Sequence, residues 1–340
     1  MKESKCIIWD LDNTIWDGVL LEDKNVKLKD NISEIIKEID KRGILQSIAS
    51  KNNHEDAIKK LEEFGLDQYF LYPEINWNAK SLSVKNIKEN INIGFDTLIF
   101  IDDQPFERDE VNSELETVEC IDALEYKTLL ENPRLNPKFI TSDSEKRRKM
   151  YMDDIKRKVE EEEYQGPEES FLKTLDMVFK IKPAGSEDLK RALELTERTH
   201  QLNSTGVTFS YEELDEFRTS DTHRLYVCEL TDKYGSYGKI GLALVELQEN
   251  VNHMKLLLMS CRVMSRGVGS LLLYHIMNET KQDGKTLTAD FLRTDRNKIM
   301  YVTYKFANFK EIERSDDGHI VFENDLTFIP PNPEYIKMEL

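Results

Sequence analysis

The sequence predicts an α/β protein of two units: a parallel sheet wrapped by helices, then a second unit of mixed strands and helices. Three observations lead there. At 340 residues the chain exceeds what one hydrophobic core usually serves. From residue 5 to about residue 115, short apolar strands alternate with amphipathic helices, an order that gives a parallel sheet. Beyond Gly166-Pro167 the order changes, with three strands following one another.

Element by element, KCIIWD at 5–10 reads as a buried strand, and NISEIIKEIDKRG as an amphipathic helix closed by Gly43. ILQSIAS is a strand and NHEDAIKKLEEFG a helix closed by Gly65. A short strand near QYFLY, a helix over KSLSVKNIKENI, the apolar strand DTLIFID and a helix from Pro105 complete the first unit, residues 1–132. Asn132-Pro133 and Asn136-Pro137 break the pattern, and a charged helical connector is expected over 133–170. The second unit, 171–340, reads as a strand at MVFKIK, helices at SEDLKRALELTERTH and YEELDEF, and three strands ending in HMKLLLMSC. The helix GVGSLLLYHIMNETKQ, the strand TLTADF, a helix from Asp295 and closing strands follow.

Composition narrows the functional classes. With 47 Lys and Arg against 65 Asp and Glu, the formal charge of −18 repels a phosphate backbone, so no nucleic-acid partner is expected. No apolar run reaches the ~18 residues of a membrane span, and MKESKCIIWD is not a secretory signal, so no membrane partner and a cytoplasmic location are expected. Cys6, Cys120, Cys228 and Cys261 form no C-x-x-C pair, which argues against zinc and against a disulfide framework. The basic run Lys146-Arg147-Arg148-Lys149, continued by Lys156-Arg157-Lys158, reads as a solvated helix face, with a docking patch for an acidic partner as the alternative.

The sharpest motif is WDLDNT, residues 9–14, where the first apolar strand ends. Ligand groups gather at the carboxyl ends of parallel strands, so Asp10 and Asp12 are placed for one to attack phosphorus while the other handles a proton. Such a pair is costly without a cation, which Mg²⁺ would supply. Taken alone, D-x-D-x-T could be a polar loop. Ser50 at the end of the second strand, Lys80 opening a helix, and Asp102 and Asp103 after DTLIFI strengthen the phosphoryl reading.

These four features resemble the motifs of the haloacid-dehalogenase (HAD) superfamily, in order and in the expected elements. The resemblance implies that Asp10 forms an aspartyl-phosphate and Asp12 acts as general acid and base. Thr14, Ser50, Lys51 and Lys80 would hold the phosphoryl group; Asp10, Asp12 by its carbonyl, Asp102 and Asp103 would hold or support Mg²⁺. The wording WDLDNTIWDGVLLED, SIASKNN, INWNAKSLSVKNI and FIDDQPFERDEV, with ERTHQLNSTG and MSCRVMSRGVG later, looks like the FkbH-like family of polyketide-type pathways. That likeness implies transfer of a glyceryl unit from 1,3-bisphosphoglycerate, with dephosphorylation, to the phosphopantetheine arm of an acyl carrier protein. His200 stands where many relatives have Asn, and reads as a polar group at a helix end.

The later half resembles the acetyltransferase fold of the GNAT type, in which a glycine turn directs backbone N–H groups at a pyrophosphate. Arg266-Gly267-Val268-Gly269 matches the end of that motif, so Arg262, Arg266, Gly267 and Gly269 are candidates for a pantetheine or carrier site. Cys261, at the end of an apolar strand and before Arg262, is the candidate acyl-bearing thiol; the same position would also suit a small buried hydrophobe. Cys6, Cys120 and Cys228 read as core. A phosphatase with an accessory domain and an acyl-CoA-dependent acyltransferase remain the other readings.

Overall fold

The computed structural model describes residues 2–340, apart from the side chain of Ser265. The chain divides into two compact units, up to Asp154 and from Ile155. The division falls inside the stretch expected as a connector, and each half of that stretch packs into its own unit.

In the first unit, β1 (Cys6–Trp9), β2 (Leu45–Ser50), β3 (Glu74–Ile75), β4 (Leu98–Asp102) and β5 (Glu119–Asp122) form one sheet in the order β3-β2-β1-β4-β5. Every pairing is parallel. Buried on both faces, the central strands are continuously apolar, as CIIW and LIFI show. The helices α1 (Ile32–Lys41), α2 (His54–Glu63), α3 (Lys80–Ile91) and α4 (Pro105–Glu114) alternate with the strands. On α1, Ile32, Ile35, Ile36 and Ile39 make one buried stripe, and Asn53 caps α2 by accepting from the Asp56 N–H. Gly43 ends α1 at φ +73°, where a Cβ would collide with Ser144. The expected strand at QYFLY is instead a single 3₁₀ turn, Asp67–Tyr69, and the sheet's edge strand comes later and is only two residues long.

The helix α5 (Arg147–Glu163) contains the division, and in the second unit α6 (Glu168–Lys173), β6 (Met177–Pro183), α7 (Leu189–Arg198) and α8 (Tyr211–Thr219) come before the strands β7 (His223–Asp232), β8 (Gly235–Leu247) and β9 (Val251–Met259). Then follow α9 (Leu271–Gln282), β10 (Thr286–Leu292), α10 (Lys298–Phe306), β11 (Lys310–Arg314), β12 (His319–Asn324) and β13 (Ile336–Glu339). The sheet order is β11-β12-β10-β9-β8-β7-β6-β13. Strands β6 to β9 are antiparallel neighbours, whereas β9 and β10 are parallel and pair only over Val251–Met254 and Thr286–Ala289.

Past that point β9 and β10 part, and the gap is filled from an earlier loop. Ser204 donates its N–H to the Leu257 carbonyl at 2.9 Å, Met259 donates to Leu202 at 2.8 Å, and Leu292 of β10 donates to Ser204 at 3.0 Å. The fully buried Asn297 side chain donates to the carbonyls of Asn203 and Leu292 at 3.0 and 2.9 Å, which fixes this insert in place. The observed architecture is the expected parallel-sheet unit followed by a mixed α/β unit.

The basic run proves to be structural. Arg147 is buried and donates to the Gly43 carbonyl; Arg148 pairs with Asp40 at 2.8 Å and lies 4.7 Å from the Tyr69 ring centre. Arg157 is fully buried against Asp232. The solvated face expected from the sequence is therefore wrong for all three arginines: their partners lie far away in sequence. Among the described residues no helix is long and apolar enough to cross a membrane.

Candidate active site

The first unit's site lies at the carboxyl ends of β2, β1 and β4, three adjacent parallel strands. The chain leaves β1 for β2 on one side and later returns to β4 on the other, the switch point at which such sheets gather ligands. Asp10 follows β1 directly, tied by its N–H to the Ile101 carbonyl at 2.8 Å. Ser50 and Asp102 end β2 and β4, and all three are buried.

Lys80, the first residue of α3, extends its ammonium between Asp10 and Asp102, 2.9 Å from Asp102, and also donates to the Ala49 carbonyl at 2.7 Å. Burial works against its charge, but the two carboxylates outweigh it and hold its pKa above the usual lysine value. One cation does not neutralise this pocket. Burial and then the neighbouring Asp10 push Asp102 up to about 6, and the same two causes raise Asp103. Asp10, Asp102 and Asp103 offer carboxylate oxygens that lie within 4.8 Å of one another. Asp103 Oδ1 is buried without a hydrogen-bond partner, as is the hydroxyl of Thr14. Asp102 Oδ2 sits within ion-pair distance of Lys80, although its direction is not that of a hydrogen bond. Orphaned hard oxygens beside a carboxylate cluster fit a divalent cation of the Mg²⁺ kind.

Asp12 is held differently. Its Oδ1 accepts from the Trp16 indole N–H at 2.8 Å and from the Leu20 N–H at 3.1 Å, and its Oδ2 accepts from the Asn52 amide at 3.0 Å. Burial is the first cause that raises its pKa, as suits a group that must carry a proton. Its carboxylate lies outside the acidic cluster, so only its main chain could serve the metal. Asn52 and Trp16 are functional neighbours that sequence reasoning missed; the clue was their closeness to Ser50 and Asp12 in the two motif loops. Lys51, expected to hold phosphate, is paired at 2.8 Å with the buried Glu107, so its charge is already committed.

Comparison with known proteins agrees with this geometry. Residues 19–107 match the family model of haloacid dehalogenase-like hydrolases, a span holding Ser50, Lys80, Asp102 and Asp103, with Asp10 and Asp12 just ahead of it. The first unit is a haloacid dehalogenase-like hydrolase domain. The human protein magnesium-dependent phosphatase 1 is 27% identical over 119 residues, 29% of this chain and 68% of that protein. A Bacteroides fragilis structure, described as the N-terminal part of a protein containing a phosphatase domain complexed with Mg, is 32% identical and covers 40% of this chain with a TM-score of 0.33. The match spans only 40% of that structure's length. The ribosomal-protein-S18-alanine N-acetyltransferase of Escherichia coli is 16% identical, covers 45% of this chain and 97% of its own, and has a TM-score of 0.35. At that similarity the fold class of the second unit rests on its own strand and helix order.

In the second unit, Cys261 opens a 3₁₀ turn, Cys261–Arg266, after β9 has ended, and is partly exposed. Arg262 is half-buried, with its Nε 3.4 Å from the Ser260 hydroxyl. Of the other candidates, Arg266 is turned to a carboxylate, whereas Gly267 is exposed at the edge of a cleft. Arg266 is buried, donating to Glu161 at 2.9 Å, and the Tyr335 hydroxyl lies where a Cβ on Gly267 would stand. The cleft of about 530 Å³ beside Gly267 is lined by Glu168, Glu169 and Glu334, which repel a phosphate. The open edge of β9 that an extended arm would need is already bonded to residues 202–204. Gly269 is exposed, and α9 begins only at Leu271. His200 is exposed two residues beyond α7. Cys6 and Cys228 are buried and their thiols pushed up by burial; Cys120 is half-buried and pushed up to about 11 by the same cause.

Proposed function

We propose that the first unit is a Mg²⁺-dependent phosphatase that works through an aspartyl-phosphate on Asp10, and that the whole chain uses it to dephosphorylate a three-carbon glyceryl unit taken from 1,3-bisphosphoglycerate and destined for an acyl carrier protein. The observation that carries the phosphatase half is the Lys80 ammonium between Asp10 and Asp102 beside the unpartnered oxygen of Asp103. Asp10 attacks phosphorus; Asp12, held by Trp16, Leu20 and Asn52, gives its proton to the leaving oxygen and then takes one from the water that hydrolyses the aspartyl-phosphate. Lys80 and the Ser50 hydroxyl hold phosphoryl oxygens. Asp10, Asp102, Asp103 and the Asp12 carbonyl would hold Mg²⁺, which when bound supplies charge to offset the phosphoryl oxygens.

For the transfer half, the support is the partly exposed Cys261 at the end of β9 and the sequence likeness to FkbH-like proteins. The Cys261 thiolate takes the acyl group from the mixed anhydride, releasing phosphate from that end, and yields it to a carrier thiol by thioester exchange. Intact-protein mass spectrometry with Mg²⁺ and 1,3-bisphosphoglycerate generated in situ tests both halves. A glyceryl adduct on the wild type, phosphoglyceryl on Asp10→Asn and no adduct on Cys261→Ala would support the reading. Phosphate release with no adduct would leave a phosphatase alone.

A further inference from the structure

We propose that the second unit holds a separate site for a small ligand that joins one oxyanion, phosphate or carboxylate, to an apolar or planar body. The site is a cleft of about 590 Å³ at the carboxyl end of β10 and the start of α10, within the size range of small-molecule pockets. Its floor is apolar. Phe291 and Ile320 are buried there, and Tyr301 meets Phe291 edge-on with ring centres 5.7 Å apart. Its rim is cationic: Arg293, Lys298 and Arg314.

The charges are arranged for an incoming anion. Neither the Arg293 nor the Lys298 side chain has a hydrogen-bond or ion-pair partner among the described residues. Glu311 is spent twice, on the Tyr301 hydroxyl at 2.5 Å and on Arg314 at 2.6 Å, which fixes the ring and the guanidinium against the floor. Asp295, the one carboxylate of the lining, is 84% exposed and 3.6 Å from Arg296. An arginine fork and a lysine point charge together hold a tetrahedral or planar oxyanion.

The helix end adds donors. Asn297 is the N-cap of α10, yet its side chain makes no cap. Its amide is turned inward to Asn203 and Leu292, and its carbonyl oxygen accepts from the Thr294 N–H at 2.9 Å. No side chain caps the start of α10, although the Met300 N–H bonds to the Asn297 carbonyl at 2.9 Å, and the helix dipole there favours negative charge. The mixture of an aromatic floor and a compact positive rim distinguishes this cleft from the acidic one beside Gly267. It would not suit a bare inorganic ion, which leaves the floor uncovered.

The test is calorimetric titration of the full chain in metal-free buffer with phenylphosphonate, benzoate and inorganic phosphate, in the wild type and in Arg293→Gln/Lys298→Gln. Both changed side chains are exposed, and hydrolysis of p-nitrophenyl phosphate serves as the control for the first unit. The expected result is that an aromatic probe binds at least fivefold tighter than inorganic phosphate. The double variant should lose at least tenfold, each single variant about threefold, with hydrolysis at the wild-type rate. Preference for phenylphosphonate over benzoate identifies a phosphate ligand, and the reverse a carboxylate. Equal affinity in wild type and double variant, or no gain from the aromatic body, overturns the proposal while leaving the phosphatase reading intact.

Discussion

Arg157 grips Asp232 with two hydrogen bonds, Nε at 2.6 Å and an Nη at 2.9 Å, in a place where neither side chain is reached by water. The guanidinium also lies 3.9 Å from the centre of the Tyr237 ring, and Asp232 accepts from the Tyr237 hydroxyl at 3.0 Å. Asp232 further accepts from the N–H groups of Tyr234 and Gly235, so it organises the β7–β8 turn. A charge that looked like part of a docking patch is a fixed point of the second unit.

Arg157→Ala should therefore cost about 3–5 kcal/mol, because it leaves a buried carboxylate unpaired. Lys149→Glu, at an exposed position nearby in sequence, should fall within about 0.5 kcal/mol of the wild type. Urea unfolding of both variants checks this contrast, and equal losses would refute it.

Lys80→Met removes the cation that stands between Asp10 and Asp102 and leaves two buried carboxylates facing one another. The metal-free variant should lose about 3–5 kcal/mol, and millimolar Mg²⁺ should restore part of it. Thermal melts with and without Mg²⁺ read this directly. A variant as stable as the wild type without metal would contradict the pocket's charge balance.

Asn52→Ala should lower kcat for p-nitrophenyl phosphate by about 10- to 100-fold with little change in KM. Asn52 touches Asp12 and orients it without forming part of the acidic cluster. Asp12→Asn, which removes the proton carrier itself, should lose about 10²- to 10⁴-fold. If Asn52→Ala were to raise KM alone, a positioning role would be excluded.

A pH effect is expected from Asp290, which accepts from His253 at 3.0 Å and from His319 at 2.9 Å. Burial works against its charge, but the two imidazoles more than offset this and hold its carboxyl below the ordinary range. A depressed pKa gives stability that is present above the unfolded value near 3.9 and lost as pH falls through the lower folded value. Asp290→Asn should thus be less stable than the wild type by about 1 kcal/mol at pH 6, and the gap should narrow at pH 3. Urea midpoints at the two pH values test it.

Much of the first site was legible because its residues stand at the ends of apolar strands, and the alternation of strand and helix gives those ends away. Asp10, Ser50 and Asp102 come together for that reason alone. The edge strand Glu74–Ile75 was not legible, being too short to carry a period, and Tyr72 before it sits at φ +48°, outside any strand. The roles of Arg147, Arg148 and Arg157 were hidden because a charged helical face looks the same whether water or a distant aspartate answers it. The surroundings of the turn at 266–269 were hidden for a related cause. Its glycines were visible in sequence, whereas Tyr335 and the three glutamates arrive from elsewhere in the unit.

The insert at Leu202–Ser204 gives the second unit a seam that no hairpin or crossover could nucleate. The bond from the Leu257 N–H to the Ser204 hydroxyl alone closes 53 residues of chain. Closure over that span comes after the local strand pairs have formed, and a seam made last is among the first to open in the native state. Residues 206–208, just past the insert, are exposed. A protease reaching them during such an opening would cut the chain beside its own stitch, so limited proteolysis of the native protein is expected to begin at the seam and not in the core.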